Sequence, residues 1–204
     1  MTFLAELPVI QAPMAGSQGS ALAIAVSNAG GLGSLPCALL APDAVRAELS
    51  AMTPATGKPY NVNFFVHREP VADAARESAW RAILAPYYRE LGVDPAAIPP
   101  EAGRTRFDQD TAAVLEAFRP PVVSFHFGLP AAALLHRVRS WGSRVIASAT
   151  TVAEARYLEE QGVDAIIAQG LEAGGHRGIF LTEDLATQTG TLALVRRVVQ
   201  AVRV

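Results

Sequence analysis

The sequence predicts an α/β fold organised on a parallel sheet. Short apolar runs alternate with longer stretches of helical character from end to end. Those runs are apolar nearly throughout, as strands covered by helices are. Three of the four histidines, His67, His126 and His176, stand directly after such runs. Parallel strands bring ends of that kind to one face of the sheet, so the clustering points to a site there. Two architectures satisfy the pattern, an open doubly wound sheet and a (β/α)8 barrel; in the barrel the chemistry sits at the C-terminal ends of the strands.

Taken in order, Pro8–Ala12 is the first expected strand, and it runs into a loop through Pro13, Met14, Ala15 and Gly16. Ser20–Asn28 is a helix candidate with Ser20 as its cap, and Gly30 and Gly31 lie past its end, where a left-handed cap prefers glycine. Leu32–Leu35 is the second strand. The GGLGS run there invites a phosphate-loop reading, but such a loop follows a strand and opens a helix. Here the order is helix, glycines, strand, so the reading is rejected. Cys37 reads as a small buried filler. Pro42 suits the first turn of a helix running to about Met52. Tyr60–Val66 is the third strand, with Asn61, Asn63 and Phe65 on one face and Tyr60, Val62 and Phe64 on the other. An amide buried on such a face needs a partner, either a ligand or a neighbouring backbone.

Asp73–Leu91 reads as a long helix, and the Pro-rich segment 92–106 as an insert within a single domain spanning 1–204. Asp108–Phe118 is a helix, Val122–Phe125 the fourth strand, Ala131–Trp141 a helix carrying His136 on its face, and Val145–Ala149 the fifth strand. Thr150 or Thr151 caps a helix to about Gln161, which Gly162 stops. Ala165–Gln169 is the sixth strand, and Thr191–Val202 the last helix.

Bulk properties exclude several function classes. The chain has 204 residues, half of them apolar, and a formal charge of −2, which is ample for a core and suits one domain. It offers no basic stripe for nucleic acid and no polybasic or amphipathic membrane anchor. A single cysteine rules out a disulfide framework and fits a reducing compartment. The start, MTFLAELPVIQ, lacks the pattern of a secretory signal, and no apolar run reaches the roughly 18 residues of a membrane span. The expectation is a cytoplasmic protein without a metal site.

The stretch most suggestive of chemistry is IIAQGLEAGGHRG, residues 166–178. An apolar strand breaks into a loop with Gly170, Gly174, Gly175 and Gly178, the acid Glu172, and His176 beside Arg177. Glycines let a backbone approach a flat or phosphorylated ligand closely. A histidine among them has a usable proton near neutral pH. Glu172 is expected either to take a hydrogen bond from a loop N–H or to touch substrate.

Together PVIQAPMAG, SNAGGLGSLPCALL, NVNFF, VVSFHFGLP and AQGLEAGGHRG resemble the nitronate monooxygenase family, formerly 2-nitropropane dioxygenases, whose members are FMN-dependent TIM barrels. The resemblance covers essentially the whole chain, and the EAGGH loop is its most specific part. It implies that His176 is the catalytic base beside the flavin. It implies that Asn63, Gln169, Gly174 and Gly175 contact FMN, and that Pro13, Met14 and Ala15 lay their backbone against its ring. His126 is a candidate substrate contact. Family barrels continue past this loop through a seventh and an eighth strand whose glycine-rich loops hold the FMN phosphate. A complete barrel needs about 250 residues, so about six β/α units and the ring-binding half of the site are expected here.

The implied activity is oxidation of alkyl nitronates or nitroalkanes by O2 to a carbonyl compound and nitrite, with a homodimer as a possible assembly. Two other readings stand beside it: a flavin-dependent NAD(P)H:quinone or enoyl-acyl-carrier-protein reductase of the same fold, and an inactive piece of such an enzyme.

Overall fold

Five strands lie side by side in the order in which the chain makes them. They are β1 (Gly33–Pro36), β2 (Tyr60–Phe65), β3 (Val122–His126), β4 (Arg144–Ala149) and β5 (Ala165–Ala168). Every neighbouring pair is parallel. The computed structural model describes residues 4–68, 71–98 and 106–204. An open doubly wound sheet reverses its strand order at a switch point. This sheet has no reversal, as in an arc of a (β/α)8 barrel.

The chain divides into two compact units, Met1–His67 with Thr105–Val204, and Arg68–Arg104. The first contains the sheet. The second contains α3 (Ala74–Glu90), capped by the Asp73 carboxylate, and a 3₁₀ turn at Pro95–Ala97. Part of the Pro-rich 92–106 segment, residues 99–105, lies outside the described residues.

The expected first strand, Pro8–Ala12, shrinks to one parallel bridge between Ile10 and Leu32. Leu32 N donates to Val9 O and Gln11 N to Leu32 O, after which a side chain takes over. The Gln11 amide accepts from Ser34 N and donates to Ser34 O, both at 3.2 Å. It thus imitates the next rung of backbone pairing. Pro13, two residues on, has no N–H to continue a ladder.

The helices follow the sequence reading to within a residue or two at most ends. Gly19, not Ser20, caps α1 (Ser20–Asn28), and the missing side-chain cap is replaced from another helix, since Glu48 accepts from Ser20 N at 2.8 Å. Glu48 belongs to α2 (Pro42–Ala55), which begins at Pro42 as expected but continues past Met52 through Pro54. Pro54 falls in the last turn, and the helix ends one residue later at Ala55, so little helix remains for it to disrupt. Next come α4 (Gln109–Phe118), α5 (Ala132–Ser140), α6 (Val152–Glu160) and α7 (Thr191–Ala201). No helix among the described residues is long and apolar enough to cross a membrane.

The two faces of the sheet differ. One packs on the helices: Leu35, Val62, Phe64, Val123, Phe125, Val145, Ala147 and Ala149 join Val45, Leu49, Met52, Leu115, Val138 and Leu158 in the main core. Cys37 is buried in that core, and burial pushes its thiol well above the ordinary range, as suits a filler. The opposite face begins with an apolar cluster of Leu32, Val122 and Ile146. Toward the strand C-termini it turns polar, with Ser34, Asn61, Asn63, Ser124 and Ser148.

Gly33 sets the closeness of α1 to β1. A Cβ there would stand 1.9 Å from the Ala23 carbonyl oxygen and 2.7 Å from Ser27 Oγ, whereas one at Gly57 would meet nothing within 4 Å. Backbone cannot yield as a flexible side chain can. Gly33→Ala is expected to cost about 3 kcal/mol or more, read as a fall in urea midpoint, with Gly57→Ala near wild type.

Candidate active site

The polar face is built by register. Asn63 pairs with Ser124 and Phe65 with His126 across β2 and β3, so each couple projects to the same side. Asn63 Nδ2 donates to Ser124 Oγ at 2.9 Å, and one step lower Asn61 Nδ2 donates to Ser34 Oγ at 3.0 Å. The partner of each strand amide is therefore a serine hydroxyl on the neighbouring strand. Asn61 Oδ1 stays buried with no hydrogen-bond partner among the described residues.

At the C-terminal rim, β5 ends at Ala168, and Gln169 begins the loop rather than closing the strand. Its backbone N–H still reaches Ala149 O at 2.9 Å. Its side chain is committed to the loop: Nε2 donates to the carbonyl of His176 at 2.9 Å, and Oε1 accepts from Gly178 N at 2.7 Å. His126 Nε2 lies 3.1 Å from the same His176 carbonyl, and its Nδ1 lies 2.9 Å from Ser148 Oγ. His176 therefore sits on the same rim as the Asn63 and Gln169 amides. Its imidazole is exposed and stands 5.1 Å from the Phe65 ring and 6.0 Å from the Phe127 ring, centre to centre.

Phe127 is held against local preference. Its φ is +70°, and the next residue, Gly128, follows at +96°. A bulky residue there costs about 1–3 kcal/mol and is tolerated where surrounding structure insists on it. The result is a ring edge-on to Phe65 at 5.2 Å and to His67 at 5.9 Å, and 4.4 Å from His126. All three histidines found after apolar runs thus meet around one phenyl ring.

Two carboxylates hold the loop. Glu172 Oε1 accepts from Thr191 N at 2.9 Å, at the start of α7. Hydrogen bonds from its own backbone N–H and from Thr191 hold its carboxyl below the usual range. Of the two roles weighed for Glu172, this is the loop hydrogen bond. Gly170 allows the approach, because a Cβ there would stand 2.1 Å from Thr191 Oγ1. Glu154, on α6, is fully buried. One oxygen accepts from the backbone N–H and hydroxyl of Thr150, both at 2.7 Å, and the other from Phe180 N at 2.7 Å and Leu181 N at 3.2 Å. It ties the far end of the loop to the end of β4.

Sequence reasoning passed over Glu154, Ser124 and Ser148. The spelling Thr151-x-x-Glu154 was the available signal for the first, since it is that of a capping box. Thr151 does cap α6, but the glutamate turns away to the loop.

The other expected site residues fall on the rim or its approaches. Pro13, Met14 and Ala15 follow the Ile10 bridge, with Met14 half exposed and its carbonyl turned to Ser17 N at 3.2 Å. A Cβ built on Gly174 or Gly175 would meet nothing within 4 Å, and Gly175 has φ +76°. That stretch of backbone is open on its outer side.

A family model for Nitronate monooxygenase matches residues 1–204. The chain belongs to that family. It is 46% identical to the nitronate monooxygenase of Paraburkholderia phytofirmans over 94% of its own length and 52% of the relative's. With the Pseudomonas aeruginosa nitronate monooxygenase it is 45% identical over 94% and 55%. Among solved structures, a nitroalkane oxidase from Streptomyces ansochromogenes aligns with a TM-score of 0.86 and 37% identity, covering 98% of this chain and 57% of the other. FabK from Thermotoga maritima aligns at 0.68 and 27%, covering 98% and 49%. The chain spans about half the length of the curated relatives it matches.

The family is one of flavoenzymes, and the residues present suit a flat heteroaromatic ring. The polar face offers amides and hydroxyls side by side, with the Asn61 acceptor still unpaired. Beside it runs loop backbone with space where side chains would stand.

Two expectations follow from the charges and bonds around the loop. Burial lowers the His126 pKa below 6.5; its bond with the His176 carbonyl and the nearby Glu154 oppose this, and the His176 ring adds to it. The unfolded ring takes up a proton at higher pH than the folded one. The stability this contributes is therefore present above about pH 6.5 and lost as pH falls through the folded value. Urea unfolding between pH 7 and pH 5 should lose more free energy in wild type than in His126→Gln. Glu154→Ala strands the buried N–H and hydroxyl of Thr150, removes the acceptor of the Phe180 and Leu181 N–H groups, and should cost about 3 kcal/mol in the same assay, while Glu154→Gln, retaining one acceptor oxygen, should cost less.

Proposed function

We propose that this chain supplies the substrate-facing part of an FMN site in an enzyme that oxidises alkyl nitronates or nitroalkanes with O2, giving a carbonyl compound and nitrite. The observation that carries the reading is the position of His176, clamped by its carbonyl at the rim of a polar strand face and flanked by two phenyl rings. Asn63, Gly174, Gly175 and the backbone of Pro13, Met14 and Ala15 would hold the flavin, with Gln169 beside it. Bound FMN supplies the redox chemistry, accepting electrons from the substrate and passing them to O2.

The work of the chain's own residues is acid–base chemistry and placement. The proton on the carbon bearing a nitro group is acidic, and His176 Nδ1 or Nε2 takes it as general base. The imidazolium so formed lies next to the nitronate it has made, and its charge favours that anion. Phe65 and Phe127 present apolar ring surface beside the imidazole. Sequence kinship favours nitronate chemistry over the reductase alternative, since the named nitronate monooxygenases are 45–46% identical and FabK 27%. By this reading the protein works in the cytoplasm on small molecules, and a homodimer is a compatible assembly.

His176→Asn, assayed in the FMN-loaded protein, should lower nitroalkane turnover by about 10²–10⁴-fold and nitronate turnover much less, because the nitronate has already lost its proton. Equal losses with both substrates, or none, would remove the base role. Fast anaerobic reduction of the flavin by NADH would favour the reductases instead.

A further inference from the structure

We infer that His126 is a positioning residue, carrying its proton on Nε2, that acts with Ser148 and Gln169 to fix the peptide of His176 and does not itself meet the substrate. This deepens the role given to His176 and rests on it, but its tests read the loop directly.

The assignment follows from what each atom is able to do. A carbonyl oxygen only accepts, so the Nε2 that faces His176 O at 3.1 Å must carry a hydrogen. With that proton in place, the neutral ring has a bare Nδ1, which takes the hydroxyl hydrogen of Ser148 at 2.9 Å. Ser148 is nearly buried, so its hydroxyl has little water to turn to. Both ring nitrogens are thereby spent, leaving neither for a substrate. The same logic orients Gln169. Gly178 N only donates, so the oxygen of the amide faces it at 2.7 Å and the nitrogen faces His176 O at 2.9 Å. The His176 carbonyl receives two N–H groups, one for each lone pair. Packing backs the hydrogen bonds: a Cβ on Gly178 would stand 2.5 Å from His126 Cε1, so ring and loop occupy this place together only because residue 178 is glycine.

The clamp grips atoms on either side of Arg177, namely the carbonyl before it and the N–H after it. Arg177 is exposed, so trypsin cutting at Arg177–Gly178 reports how often the loop opens. His126→Phe keeps the bulk, removes the donor and should speed that cut about five- to tenfold, the effect expected of one hydrogen bond. His126→Gln places an amide N–H near the position of Nε2 and should restore most of the protection. His126→Asn, with its donor nearer the backbone, should not. Ser148→Ala should give an intermediate rate. Cleavage at Arg81–Ala82, on α3, serves as the control and should not change.

A second measurement needs no variant. The ¹⁵N–¹H correlation of the His126 ring in the wild-type chain should show the neutral Nε2–H tautomer at pH 7. An Nδ1–H tautomer, an imidazolium at that pH, or equal cutting of wild type, Phe and Gln variants would overturn the proposal. His176→Asn separates this from the base role: it retains the carbonyl, so trypsin resistance should persist even where turnover is lost.

Discussion

One carbonyl oxygen joins the sheet to the loop that crosses its edge. The His176 carbonyl receives an N–H from Gln169, at the end of β5, and faces the ring of His126, at the end of β3. A parallel sheet leaves backbone groups without partners where its strands stop, and a long loop there has no regular structure of its own to consume them. In this protein side chains from two strands do that work. These bonds tie the loop to the strand ends, and the exposed imidazole is carried on the residue they hold.

The arrangement is costly, and the costs are offset locally. A serine on the next strand meets each strand asparagine, so Asn61 and Asn63 are buried with donors engaged. Glu154 is fully buried with four donors facing its two carboxyl oxygens, the condition under which a buried polar group is tolerated. Phe127 in the left-handed region adds strain, and it stands where three histidines converge. Strain and buried polarity are gathered at one rim, over an otherwise apolar core, the pattern that functional sites share.

The family match and the fold are separate observations on the same chain. The family match rests on the order and spelling of motifs along the chain. The geometry rests on the parity of side chains in a parallel register. The chain spans about half of its relatives, and its five strands in unbroken order superpose on the nitroalkane oxidase structure.

Local patterns sufficed for much of this. Apolar runs, glycine stops and Pro42 placed the strands and most helix ends, because each depends on near neighbours in the chain. The parity of Asn61, Asn63 and Phe65 was legible for the same reason. What only the folded chain decided depended on groups far apart in sequence. Gln11 imitates a strand rung against Ser34, so the first strand dwindles to one bridge. Glu48 on α2 caps α1, displacing Ser20 from that role. Gln169 spends its amide on His176 and Gly178 of the loop, and His126 divides its ring nitrogens between the His176 carbonyl and Ser148 on β4. A sequence shows which atoms can donate or accept. Which of them come within three ångströms of each other is settled by strand register and chain crossing, and those are properties of the whole fold.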